Sequence, residues 1–157
     1  MRSGSELLDR LIKEIIIASP HFELDYLMVL IRERIYTVNS ANRRFIVSWL
    51  HAVLIVPAFS IREYISEVVD GVFKALEDPA PAVREATVSV LSELLHKLDP
   101  RLEGHGLKDD GKEVNIAGIV NVLVPYANSP LTVQKELAIR WLNQVCLEMV
   151  LSVTSIS

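Results

Sequence analysis

Four histidines and one cysteine are the residues whose types could hold a metal ion or act as a nucleophile. The histidines are His21, His51, His96 and His105. Two ligands on one helix face usually stand four residues apart, and no two of these histidines have that spacing. Cys146 lies among apolar residues and is expected to be a small buried hydrophobe. The sequence therefore predicts no metal site, no cofactor and no catalytic residue.

A second candidate for chemistry is the stretch 104–112, which combines glycines, lysines and paired carboxylates. A phosphate-binding loop needs Gly-Lys-Ser/Thr at the start of a helix, and a calcium loop needs oxygen ligands alternating over about twelve positions. The stretch fits neither pattern. We expect residues 100–112 to form an extended solvated loop, with peptide docking as the alternative.

The composition of the chain limits which classes of binding partner and which cellular compartments are expected. The 157-residue chain has a formal net charge of −4, which is opposite to the broad positive field that nucleic acid requires. A single cysteine permits no internal disulfide and favours a cytoplasmic location. The longest apolar run, 45–61, is shorter than the about 20 residues of a membrane-spanning helix. Residues 1–5 are expected to be an expression remnant.

Apolar residues recur at helical spacing in seven segments, which predicts an all-α chain. The first segment is predicted to be a single N-terminal helix, and the other six pair into three helical hairpins. The hairpins are predicted at about 24–56, 61–98 and 114–150. Ser40 is a candidate N-cap, and Pro81 and Pro130 are expected near the first positions of second helices.

The hairpins repeat along the chain. Asn42, Val83 and Val133 occupy equivalent places, separated by 41 and 50 residues, and the same intervals align the first helices. A period near 40 built from two helices is typical of HEAT and armadillo repeats. The sequence thus predicts an α-solenoid of about three HEAT-type hairpins plus an N-terminal helix, at residues 6–157.

One turn resembles the HEAT pattern of an aspartate followed by Val-Arg. Asp78 lies in the turn of the second hairpin, and Arg84 follows Val83 at the start of the second helix. In that family the arginine bonds the turn and forms a ladder from repeat to repeat, which the resemblance implies here. The equivalent residues are Asn128 with Gln134 in the third hairpin, and Arg43 with only Thr37 in the first.

A polar row on the second helices is the candidate partner-binding face. Arg44, Ser48 and His51 lie at i, i+4 and i+7, opposite the apolar face. The same register places Glu85 and Ser89 in line with them in the next hairpin. An ordinary solvated surface is the alternative, because only geometry selects these residues.

Three runs in the first two hairpins resemble one family in particular. They are Ile31-Arg32-Glu33-Arg34-Ile35-Tyr36, then Asn42-Arg43-Arg44-Phe45-Ile46-Val47-Ser48-Trp49, then Glu63-Tyr64-Ile65-Ser66-Glu67-Val68-Val69-Asp70-Gly71-Val72-Phe73. They are similar to the vacuole-morphology HEAT-repeat scaffolds, the VAC-fourteen family. The likeness covers most of the chain and fades in the loop and the last helix.

The resemblance implies a non-enzymatic scaffold that holds together the phosphatidylinositol 3-phosphate 5-kinase of PIKfyve or Fab type and its opposing Sac-type phosphatase. That complex controls phosphatidylinositol 3,5-bisphosphate on endosomal and vacuolar membranes, so membrane contact would be peripheral and indirect. Self-association and a much longer protein, of which this chain would be an N-terminal piece, are also implied. Arg32 and Tyr36 are further candidate contacts. A generic HEAT peptide-binding module of a transport or regulatory protein is the alternative.

Overall fold

The computed structural model describes residues 4–18, 24–56, 59–98 and 114–154, and all regular structure within these ranges is helical. The helices are α1 (Gly4–Ala18), α2 (Leu24–Arg34), α3 (Ser40–Leu54), α4 (Ile65–Ala75), α5 (Pro81–Leu98), α6 (Ile116–Ala127) and α7 (Thr132–Thr154). A single 3-10 turn, Arg62–Tyr64, leads into α4. The predicted all-α class is confirmed. The predicted loop at 100–112, His21 and His105 lie outside the described residues.

The helices form two parallel rows, which makes the chain an α-solenoid. Each hairpin pairs a first helix with a second helix: α2 with α3, α4 with α5, and α6 with α7. The first helices α2, α4 and α6 also pack on one another in order, and so do the second helices α3, α5 and α7. Helix α1 packs on α3, so it stands at the head of the second-helix row.

The hydrophobic core extends through all three hairpins, and the middle hairpin buries the most residues. Helix α4 has neighbours on both sides and buries seven of its eleven residues, whereas α2 at the edge buries three. This wide apolar face is expected where a helix is covered by the repeats before and after it. The buried residues of α4 are Ile65, Val68, Val69, Gly71, Val72, Phe73 and Ala75.

Two helix starts differ from the sequence-based expectation. Helix α3 is capped by Asn39, whose side-chain oxygen accepts a hydrogen bond from the backbone N–H three residues on, at 3.0 Å. Ser40, the predicted cap, is the first helical residue, and its hydroxyl donates to Asp78 in the next hairpin. Pro81 begins α5, but α7 begins two residues after Pro130.

Candidate functional site

The three hairpins share the same hydrogen-bonded turn. Thr37, Asp78 and Ser129 each accept, through a side-chain oxygen, the backbone N–H two residues further on, at 3.3, 2.9 and 3.1 Å. Each of these residues stands three positions before the first residue of the second helix. Because α7 begins at Thr132, Ser129 holds the turn position that the sequence assigned to Asn128, which is exposed.

Asp78 is the charged member of this set, and it joins two hairpins. Its carboxylate, 1% exposed, accepts hydrogen bonds from Arg43 Nη1 at 2.8 Å and from the Ser40 hydroxyl at 2.9 Å. Burial alone would raise the pKa of Asp78, but the Ala80 N–H, Ser40 and Arg43 outweigh it and hold the pKa below the ordinary 3.8. Arg43 therefore pairs with the next hairpin rather than with Thr37 of its own turn.

Arg84 and Gln134 occupy the positions in their hairpins that Arg43 occupies in the first, but their side chains form hydrogen bonds with other partners. Arg84 Nη1 donates to the backbone carbonyls of Asp78 and Pro79, at 2.7 and 2.9 Å, and so braces its own turn. Gln134 is 2% exposed, and its Nε2 donates to the carbonyl of Phe73 at 3.0 Å in the preceding hairpin. The bonds between repeats thus run through Arg43 and Gln134, and Arg84 does not contact the Asp78 carboxylate.

A second set of hydrogen bonds, not predicted from the sequence, connects the first helices of the three hairpins. Asp70 on α4 accepts the hydroxyl of Tyr36 on Oδ2 and that of Tyr126 on Oδ1, each at 2.6 Å. Burial, followed by the Asp70 carboxylate, raises the pKa of Tyr36 to about 12 and also raises that of Tyr126. Tyr36 is thus bonded within the stack, and Arg32 pairs with Glu67 of α4 at 3.6 Å. The sequence signal was a tyrosine near the end of α6 and another just after α2, with an aspartate midway along α4 between them.

Aromatic side chains reinforce the contact between the second and third hairpins. The ring of Phe73 stacks on Tyr126 with centroids 5.1 Å apart, and it meets Trp141 edge-on at 6.0 Å. Phe73 and Trp141 are fully buried. Helices α4, α6 and α7 are therefore held together by aromatic packing as well as by the bonds of Gln134 and Asp70.

Only some residues of the predicted partner-binding row are exposed to solvent. Its exposed members are Arg44, His51, Glu85 and Ser89. Ser48 is half-buried, and its hydroxyl accepts a hydrogen bond from Lys13 Nζ at 2.9 Å. Ser48 was expected to face solvent, but α1 packs on this side of α3 and takes up its hydroxyl.

A groove of about 920 Å³ opens between the first halves of α1 and α3. Leu7, Arg10 and Lys13 line its α1 side, and Asn42 and Arg44 line its α3 side, among others. Among the candidate partner residues, the groove brings together Arg44 and Ser48. His51, one turn further along α3, is not part of its lining.

The described residues form no centre suited to metal chemistry. In these four ranges no three His, Cys, Asp or Glu side chains converge as metal ligands would. None of the described helices is long and apolar enough to cross a membrane. Cys146 is exposed, contrary to the prediction, because the buried face of α7 passes through Trp141 and Val145 instead.

The chain is similar to proteins from plants and yeasts. A VAC14 homolog of Arabidopsis thaliana is 28% identical over 144 residues, which cover 92% of this chain and 18% of that protein. Vacuole morphology and inheritance protein 14 of Saccharomyces cerevisiae is 35% identical over 78 residues, 50% of this chain and 9% of that protein. The Schizosaccharomyces pombe VAC14 homolog is 25% identical over 134 residues, 62% of this chain and 16% of that protein.

The chain spans less than a fifth of the length of each of these relatives. No family model and no solved structure matches it. The plant protein is similar across nearly the whole chain, including all three runs on which the resemblance was based. The resemblance is thus confirmed, and this chain is a relative of the VAC14 vacuole-morphology proteins of plants and yeasts.

Proposed function

We propose that this chain is a helical-repeat part of a non-enzymatic scaffold that organises a phosphatidylinositol 3-phosphate 5-kinase and its opposing Sac-type phosphatase. By holding both enzymes, the scaffold controls the level of phosphatidylinositol 3,5-bisphosphate. The similarity to proteins named for vacuole morphology and inheritance is the observation that carries this proposal. The lipid chemistry belongs to the two partners.

The hydrogen bonds that polar side chains form between hairpins support a scaffold role. Three polar side chains, Asp78, Gln134 and Asp70, form hydrogen bonds with residues of neighbouring hairpins. None of these three lines the groove between α1 and α3. They stiffen a surface on which Arg44 and His51 remain exposed. A rigid surface suits protein binding, because less conformational entropy is lost when a partner docks.

The same proposal places the protein in the cytoplasm, peripherally on endosomal and vacuolar membranes. Contact with the membrane would be indirect and made through the two enzymes. The net charge of −4 also gives no general attraction to anionic lipid headgroups. Self-association of the scaffold is part of the proposal, because an assembly that holds two enzymes gains from more than one copy.

Affinity purification of the full-length protein tests the proposal. Both the 5-kinase and the phosphatase are expected in the eluate by mass spectrometry, and the double variant Arg44→Glu/His51→Glu should recover less of at least one of them. Arg140→Glu, an exposed charge reversal on α7, is the matched control. Recovery of neither enzyme with the unaltered protein would refute the scaffold role.

The second candidate is a HEAT-type module that grips a peptide of an unrelated client. The groove between α1 and α3 favours it, since its volume of about 920 Å³ lies within the range of ligand sites. The same purification separates the two candidates. A peptide-bearing client without the 5-kinase would support the module, and the kinase together with the phosphatase would support the scaffold.

A further inference from the structure

We propose that the groove between α1 and α3 binds a short segment of a protein partner, in which an apolar side chain stands close to a carboxylate. This inference deepens the proposed function and rests on it, because it assigns one surface of the scaffold to one class of partner sequence. The groove is about 920 Å³, large enough for a few residues of extended chain.

The charged groups on the α1 side of the groove are Glu6, Asp9, Arg10 and Lys13, and the two cations are already paired with acids of the same helix. Lys13 Nζ lies 2.9 Å from Asp9 Oδ2 and donates to the Ser48 hydroxyl, also at 2.9 Å. Arg10 Nε donates to Glu14 one turn away, at 3.0 Å. Both cations have ion-pair partners within the protein, so an incoming anion would have to compete with those partners. They do not account for the charge preference that we assign to the groove.

Arg44, on the α3 side, is different. It is exposed, lines the groove, and has no ion-pair partner among the residues that the structure describes. Its neighbour Arg43 satisfies its charge in the buried pair with Asp78. The guanidinium of Arg44 can therefore form a two-pronged hydrogen bond with an incoming carboxylate without first breaking a bond of its own.

The other free groups of the groove suit a peptide better than a free ion. Leu7 is 56% exposed and Phe45 is half-buried, so together they offer an apolar surface to one side chain. Asn42 is exposed beside them, and its side-chain amide can both donate to and accept from a peptide backbone. An inorganic anion would use only Arg44 and would leave the apolar surface uncovered.

Selection from a phage-displayed library of random heptapeptides on the 157-residue chain tests this inference. The enriched peptides should carry Asp or Glu within a few positions of a large apolar residue. In fluorescence polarisation with a synthetic copy, Arg44→Glu should weaken binding by about tenfold or more. The control Arg140→Glu should bind like the parent, and a peptide with Lys in place of its acid should bind Arg44→Glu better than the parent chain.

Several results would overturn the inference. They are enrichment of peptides that lack an acid, equal losses in Arg44→Glu and Arg140→Glu, and full competition by inorganic phosphate. A sedimentation shift abolished by Arg44→Glu would assign the groove to a second copy of the chain, and so would also overturn it. Circular dichroism melting of each variant checks that the fold is kept.

The groove and the scaffold role can fail separately. If full-length protein carrying Arg44→Glu still recovers both enzymes in undiminished amount, the groove inference is wrong and the scaffold role stands. If the unaltered protein recovers neither enzyme, the scaffold role fails whatever the peptides show.

Discussion

Arg43 and Arg44 are adjacent in sequence, yet α3 turns them into opposite surroundings. The side chain of Arg43 is 11% exposed and pairs with the fully buried carboxylate of Asp78, whereas Arg44 is exposed at the groove. Successive residues of a helix are about 100° apart around its axis, and this rotation separates the structural Arg43 from the candidate binding residue Arg44. This pair therefore allows stability and binding to be tested with matched substitutions.

Arg43→Met should lower the free energy of unfolding by about 3–5 kcal/mol, because it leaves the buried Asp78 carboxylate without its ion-pair partner. Arg44→Met should change it by no more than about 0.5 kcal/mol, as is usual for an exposed residue. Urea denaturation of both variants measures the difference. Similar losses in the two would contradict the assignment of Arg43 to the contact between hairpins.

The bond between Tyr36 and Asp70 predicts a loss of stability in alkali. The folded protein raises the pKa of Tyr36 from 10.0 to about 12, so folding favours the neutral phenol. This contribution is complete below pH 10 and disappears as the pH rises from about 10 through 12. The urea midpoint of the parent should therefore fall more steeply over that interval than the midpoint of Tyr36→Phe.

Tyr26→Phe is the control for this experiment, because Tyr26 is 74% exposed. Tyr126, whose pKa is also raised, is present in all three proteins, and the charge of Tyr36 is the smallest of the causes that raise it. If the parent and Tyr36→Phe lose stability in parallel between pH 10 and 12, the phenol of Tyr36 is not held by Asp70 in solution.

At the scale of the helix, α4 lies close to the first hairpin at Gly71. A Cβ at this position would lie 2.2 Å from Cγ2 of Ile35, which is fully buried. Helix propensity alone would make Gly71→Ala stabilising by about 0.5–1 kcal/mol. The contact with Ile35 predicts the opposite sign, because overpacking a core costs about 1–3 kcal/mol.

A double-mutant cycle checks this contact. Ile35→Ala removes Cγ2 and Cγ1, the two nearest atoms that the new methyl group of Gly71→Ala would meet, so the second substitution should cost less in the Ile35→Ala background than in the parent. Thermal unfolding of the four proteins gives the coupling energy. Additive losses would show that α2 and α4 do not approach one another as closely as the structure indicates.

The helices could be predicted because each turns an apolar face to its neighbours at every third or fourth residue. Ser40 and Asn128 were misassigned because a cap or turn role depends on where a helix begins, to within a single residue. The Arg43–Asp78 and Tyr36–Asp70 bonds could not be predicted from the sequence for a different reason. They join residues more than thirty positions apart, and only the packing of separate hairpins decides which side chains meet.

The stack of helices that the structure describes exposes apolar side chains at both ends. On α1, Leu8, Leu11 and Ile15 are 57%, 46% and 54% exposed. On α7, Met149 and Val150 are 49% and 58% exposed, while Val145, about one turn earlier, is buried. Helical repeats usually cover such faces with a further repeat or a polar cap.

Concentration-dependent association of the chain is therefore expected. The weight-average sedimentation coefficient should rise with protein concentration, and Leu11→Lys/Ile15→Lys should suppress the rise by placing charge on the α1 face. Glu85→Lys, a charge change on the exposed side of α5, serves as the control. A strict monomer at high concentration would show that these faces do not attract one another.

Asp70 has a consequence for the cooperativity of the stack. In an ideal repeat array each unit interacts only with the next, so the two ends can fray independently. Here the first and third hairpins donate to two oxygens of one carboxylate on the second. When either end opens, the carboxylate loses one donor and its remaining bond carries more of its charge. The opening of one outer hairpin thus strengthens the bond that holds the other, so the stabilities of the two ends of the stack are coupled through Asp70.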